Sequence, residues 1–245
     1  MILVIDTETS GLSPAAGHAV VELAAVALTC DDQTWHLGHH PFSTLVAPGR
    51  RLSPEAQAVH HLRDEELRSA PHLPQAIAQL KQHFSVKDLP VPQRFLAAHN
   101  AAFDRSFLEG HLPHARWLCT MRCARHLFPN SPGYSNQVLR YYLGLDAAVR
   151  AALPSQSLQP HRAMYDAITT AVLLRHMLAT HTLADLLALQ DRPVLQRKVR
   201  FGKYRGQEWS AVPKDYLQYV LRQNGPGGFD ADIMHTANYY LNGGT

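Results

Sequence analysis

The chain has 245 residues, 46% of them hydrophobic, and carries 23 Lys+Arg against 20 Asp+Glu for a formal net charge of +3. That suffices for a full core in one domain, or in a domain with an appendage, and no stretch approaches the ~18 consecutive apolar residues of a membrane span. Three cysteines, Cys30, Cys119 and Cys123, argue against a disulfide frame or zinc ribbon, and the short apolar start lacks the basic flank of a signal peptide, so a reducing, cytoplasmic setting is expected.

The first predicted element is a buried strand over 2–8, from the apolar run Ile2-Leu3-Val4-Ile5. Alternation points Asp6 and Glu8 to one face and Thr7 to the other, and Thr9-Ser10-Gly11 then turns the chain. Taken alone, such a carboxylate pair is most often a solvated strand end. Strands within 19–29 and 34–46 follow, then helices near 54–60 and 74–84, the second with Ile77, Leu80 and Phe84 on one face. Phe95-Leu96-Ala97-Ala98 predicts a strand over 94–99, and Asn100 is a good N-cap for a helix over 101–109. Asp104 then lies in the first turns of that helix, where the dipole favours an anion or a carboxylate–metal cluster. Early strands joined by short turns suggest an antiparallel meander, and later strands separated by helices suggest parallel additions.

Helices near 120–127, 135–143 and 163–179 come next. In the last, Ile168, Val172 and Leu173 recur at helical spacing and place Asp166 near its start. Five helical residues turn through about 500°, so His161 and Asp166 would diverge on one helix. Pro160 instead puts His161 on the preceding loop, free to reach toward the carboxylates. Two acids two residues apart, two distant aspartates and this histidine form a layout for holding two divalent ions and hydrolysing a phosphodiester, with an imidazole suited to general-base work. The other histidines show no paired ligand spacing and, His60 excepted, are assigned to surface or packing. His99 is left out of the site because strand alternation turns it from its neighbours.

Around Gln190-Asp191-Arg192-Pro193 the pattern changes. Residues 191–245 hold 8 basic and 5 acidic residues, so the first 190 are balanced at 15 of each and the whole +3 lies in the tail. Arg197, Lys198, Arg200, Lys203 and Arg205 interleave with Phe201 and Tyr204, a combination suited to phosphate contact and base stacking; the bland alternative is a turn with solvated charges. Trp209, Val212, Tyr216, Leu217, Val220 and Leu221 predict the core of a small helical unit, with a turn at 224–228 and a second helix over about 230–241.

The segments DTETSGL, HNAAFD and HRAMYD resemble the three motifs of the DEDDh, or DnaQ-like, 3′–5′ exonucleases, as does SPEAQAVHHL leading to His60. The likeness covers roughly residues 2–180, and WLCTMRCAR, PGYSN and FGKYRGQ are similar to the exonuclease X branch of that family. It implies an α/β, ribonuclease H-like fold, a mixed five-stranded sheet flanked by helices, over 1–185. A linker over 186–194 and a small, mainly helical, basic and aromatic unit over 195–245 follow. It implies that Asp6, Glu8, Asp104 and Asp166 hold two Mg²⁺ or Mn²⁺ ions and that His161 is the base. Thr7 and Glu8 would position the 3′-terminal nucleotide, Leu12 would wedge against its base, and His60 and Asn100 would line the pocket. The implied partner is nucleic acid with a 3′ end, DNA before RNA, in repair or end processing and without a membrane. An exoribonuclease or a polymerase proofreading subunit would share the five catalytic residues. A silent binding module would gain little from carboxylates clustered beside phosphate without metals.

Overall fold

The computed structural model describes residues 1–85, 95–155, 157–223 and 228–244. Arg94, expected to open a strand, and most of the turn expected at 224–228 lie outside the described residues. The strands are β1 (Ile2–Thr9), β2 (Val20–Asp31), β3 (Thr34–Leu37), β4 (Phe42–Leu45), β5 (Phe95–Ala98) and β6 (Arg116–Cys119). Helices α1 (Pro54–His60), α2 (Asp64–Leu67) and α3 (Leu73–His83) precede β5, and α4 (Ala101–Leu108) joins it to β6. Then come α5 (Thr120–Leu127), α6 (Asn136–Tyr142), α7 (Asp146–Ala152), α8 (Ala163–Leu178), α9 (Leu183–Gln190), α10 (Lys214–Arg222) and α11 (Ala231–Leu241).

The sheet runs β3-β2-β1-β5-β6, with β4 also on β2. β2 pairs antiparallel with β1 from Ile2↔Leu28 to Glu8↔Glu22, while β5 and β6 are added in parallel. Six strands appear where five were expected because the edge strand foreseen over 34–46 is broken. Its first part pairs with Leu28–Asp31 and its second with Glu22–Ala25, and between them Pro41 has no N–H to give to a ladder. β6 has only four residues, one of them the exposed Arg116, too few to show a period.

Parity along β1 decides what each face meets. Ile2 and Val4 pack with Ala24, Val26 and Leu28 against α8, and Leu3 and Ile5 pack with Leu23 and Ala25 against α3 and α4. Helix α8 buries 13 of its 16 residues, so it is the central core helix rather than an amphipathic surface one. Each large apolar side chain there contributes about 1.5–3 kcal/mol. Among the described residues no single helix is long and apolar enough to cross a membrane; α8 and α9 pass together on composition and length only, bent by 108°.

The connection to the C-terminal unit starts later than expected. Helix α9 runs through 186–190 with Leu186 buried and a capping box between Thr182 and Asp185, so the non-helical stretch begins at Asp191. Beyond it, Trp209 is enclosed by Val199, Val212, Leu217, Val220 and Ala237 in a core separate from those of the sheet.

Candidate active site

Asp6 and Glu8 continue the Ile2/Val4 face of β1, which puts them beside the start of α8. One oxygen each of Asp6, Glu8 and Asp166 lie within 4.8 Å of one another. Asp104 arrives from the opposite face of the sheet, on the first turn of α4. It is 3% exposed, and its Oδ1 accepts Thr7 N–H at 3.0 Å and Thr7 Oγ1–H at 2.8 Å. The outward turn of Thr7 predicted by alternation is thus what ties the second aspartate to the strand. Asn100 occupies the N-cap position of α4 with a left-handed backbone (φ 74) and makes no capping bond through its side chain.

The start of α8 is built as firmly. Glu22, buried on β2 opposite Glu8, accepts Arg162 Nε–H at 3.0 Å, Arg162 Nη2–H at 2.7 Å and the Ala163 N–H at 3.0 Å. A fork of this kind gives both charge and direction. It pins the turn in which His161 sits with φ 64, its own N–H donating to Asp166 Oδ2 at 2.8 Å. Gln137 on α6 donates to the other oxygen of Asp166 at 3.4 Å.

These acids are crowded. Burial raises the Asp6 carboxyl well above its ordinary range, and Asp104, Asp166 and Glu8 raise it further. Burial, then Asp166, pushes Glu8 up to about 8, and burial pushes Asp104 up to about 7 against the bonds from Thr7. Asp166 is raised by burial as well. Four carboxyl groups that cannot all ionise together in the bare protein form a donor set of hard oxygens suited to divalent cations.

The cluster opens on a cavity of ≈ 1110 Å³ that is also walled by the loop 131–135 with the first residues of α6, by Arg125 and by 194–198 with Arg200. Thr7 and His161 line it with the acids. Three residues assigned to the pocket from sequence do not. Leu12 is 84% exposed, outside the lining of this cavity. His60 is 1% exposed at the end of α1, its Nδ1 accepting Leu62 N–H, and Asn100 faces solvent.

In their place stands His99, which the alternation rule excluded. β5 ends at Ala98, so the rule no longer applies one residue later. Its Nε2–H donates to the Tyr134 carbonyl at 2.6 Å and Nδ1 accepts from Thr120 Oγ1 at 2.9 Å, and burial lowers the ring to about 4, so it is neutral. Gln137 and Arg125 also escaped the sequence; the Ser135 cap before Asn136-Gln137 was the only local signal.

The tail aromatics are used differently from the expectation. Phe201 packs against Trp209 (6.0 Å between centroids) and Phe229 (4.3 Å), and Tyr204 packs edge-on to Tyr216 at 4.7 Å. Both rings are half-buried and pack against the core of the small unit. Arg197, Lys198 and Arg200 reach the cavity, whereas Lys203 and Arg205 are not among the residues lining it.

The Exonuclease family model matches residues 3–174. Exodeoxyribonuclease 10 of Escherichia coli (strain K12) is 31% identical over 246 residues, covering 98% of this chain and 99% of that protein. Ribonuclease T of Baumannia cicadellinicola subsp. Homalodisca coagulata is 33% identical over 70% of this chain and 80% of its own. Among solved structures, Exonuclease X in complex with 5′ overhanging duplex DNA has a TM-score of 0.57 at 32% identity, spanning 78% of this chain and 99% of that one. The nuclease domain of 3′hExo, a DEDDh family member bound to rAMP, has the same fold (TM-score 0.54, 18% identity, 73% and 91% covered).

Proposed function

The chain belongs to the exonuclease family, with a ribonuclease H-like fold and 3′–5′ hydrolase activity, and from this we propose that it acts on DNA, releasing 5′-mononucleotides. The observation that carries this reading is the meeting of Asp6, Glu8 and Asp166 beside Asp104 at the base of one cavity. The preference for DNA follows the whole-length likeness to exodeoxyribonuclease 10, which includes the tail. A role in repair or end processing is in keeping with it, as are three free cysteines with a reducing compartment.

Asp6, Glu8, Asp104 and Asp166 would hold two Mg²⁺ or Mn²⁺ ions. Bound there, such a pair supplies charge stabilisation for the attacking and leaving oxygens of an in-line displacement. His161 accepts the proton of the attacking water through its imidazole. The water oxygen bonds to phosphorus as the bond from phosphorus to the 3′ oxygen of the preceding nucleotide breaks, and that oxygen leaves as an alkoxide that takes a proton from solvent, while His161 returns its proton to solvent. Thr7 fixes Asp104, and Glu22 with Arg162 fixes the turn carrying His161.

Incubation with 5′-labelled single-stranded DNA, duplex DNA and RNA, with Mg²⁺ or chelator, tests this. A descending ladder is expected only with the metal and fastest on DNA. Faster RNA shortening would move the protein to the exoribonucleases.

Thermal unfolding gives a readout that does not need activity. The folded-state pKa values of Glu8 and Asp104 lie above the ordinary 4.5 and 3.8, at about 8 and about 7. Over that window the folded chain holds protons that the unfolded chain has lost. The stability they confer is full at low pH and is lost as pH rises through about 7 to 8. In chelator the Tm should therefore fall across this range, and the rise in Tm on adding Mg²⁺ should be larger at about pH 8 than at about pH 5. An Mg²⁺ effect independent of pH would remove these carboxyls as the ligands.

A further inference from the structure

Between Val194 and Arg200 the chain presents two sides. Val194, Gln196 and Val199 are buried, while Leu195, Arg197, Lys198 and Arg200 are exposed and line the catalytic cavity together with Arg125 of α5. The segment is held in place. Asp232 of α11, 7% exposed, accepts Arg122 Nη1–H at 3.0 Å and Nη2–H at 3.2 Å, and also the Val194 N–H at 2.9 Å. Arg122 donates in addition to the carbonyls of Gln190 (2.6 Å) and Arg192 (2.7 Å), and Gln196 N–H is taken by Thr236 Oγ1 at 2.9 Å. Asp232 is buried and Arg122 only partly so, and the five hydrogen bonds from Arg122 and Val194 fix the direction of the segment.

The cations on the resulting wall are poorly answered by acids. Arg197 meets Glu208 at 3.4 Å at the surface, and among the described residues Lys198 and Arg200 have no acidic partner within ion-pair range. Arg125, half-buried, meets Asp232 at 4.0 Å and lines the same cavity as Arg200, and burial and then Arg200 hold it below its ordinary value. Carboxylates at the base of the cavity and cations on its wall, Lys198 and Arg200 among them without an acidic partner among the described residues, divide the work as metal ligation and phosphate contact.

We propose that Arg125, Arg197, Lys198 and Arg200 form a phosphate-binding ledge for the single strand leading away from the catalytic centre, and that the Arg122–Asp232 clamp holds the ledge at a fixed place. It rests on the exonuclease reading for the identity of the strand. The C-terminal unit is then a wall of the active site, setting affinity for nucleotides upstream of the bond cleaved, and not a tethered accessory.

The test uses the full chain with K198Q/R200Q, both exposed positions. Binding of 5′-fluorescein oligothymidylate is followed by anisotropy across a salt series in Ca²⁺, and turnover is compared on that strand and on thymidine 5′-(p-nitrophenyl phosphate), which fills only the catalytic centre. The slope of log affinity against log salt should flatten by about 0.7 for each phosphate no longer neutralised, ~1.4 for the pair, and KM for the strand should rise roughly tenfold. The kcat and the ester turnover should not change. An unchanged slope, or equal losses on strand and ester, overturns the ledge. Asp232→Ala should raise the same KM while sparing ester turnover and should speed trypsin cleavage after Arg197 and Lys198; a wild-type KM with this variant overturns the clamp. If the wild-type protein cleaves neither strand nor ester the catalytic reading fails, and the binding slope still decides the ledge.

Discussion

Asp6→Asn is expected to lower turnover by at least ~10³-fold, the scale on which single groups that stabilise transition-state charge act, while leaving the metal-free protein as stable as the wild type or more so. The amide keeps the shape of the side chain and removes a negative charge from the centre of a group in which Asp104, Asp166 and Glu8 all raise the Asp6 carboxyl. In chelator its Tm at about pH 8 should equal or exceed that of the unchanged chain, and the Mg²⁺-induced rise should shrink. Wild-type turnover would sink the assignment of Asp6 as a ligand. Asp104→Ala separates the roles, because it also leaves the N–H and hydroxyl of Thr7 without their acceptor. A loss of about 1–3 kcal/mol for each buried group so stranded should accompany its loss of activity.

Replacement of His161 should cost about 10²–10⁴-fold in kcat, the range for a general base, with the Mg²⁺-induced rise in Tm retained. Asparagine is the better choice than alanine. His161 has φ 64, a left-handed conformation that asparagine adopts readily and that costs alanine about 1–2 kcal/mol. Either variant keeps the backbone N–H that donates to Asp166. Were His161→Asn to lose the metal effect as fully as Asp6→Asn, His161 would be a ligand and the base would have to be sought elsewhere.

Much of this site was legible in the chain because it depends on short-range periodicity. The two-residue repeat of β1 decides that Asp6 and Glu8 share a face, and the apolar spacing of α8 decides that Asp166 opens a helix with His161 outside it. Residues brought in by packing were not legible. His99 lies one residue past the end of its strand, and Gln137 meets Asp166 only because α6 packs on α8. The basic and aromatic segment of the tail admitted two meanings at the level of composition. The structure divides it, with Arg197, Lys198 and Arg200 turned to the cavity and Phe201 turned to Trp209. His60 misled in the opposite sense, since a histidine at a helix end looks accessible from sequence and is sealed inside the fold.

The proposed ligand set is drawn from residues 6 and 8 at one end of the sequence and 166 far along it, and these meet where α8 packs on the sheet and Glu22 holds Arg162. A nascent or partly denatured chain therefore holds its acids far apart and is harmless to nearby nucleic acid. During refolding from denaturant, nuclease activity should return with the burial of α8 and never ahead of it, so that completion of the native structure itself acts as the safety catch on a destructive enzyme.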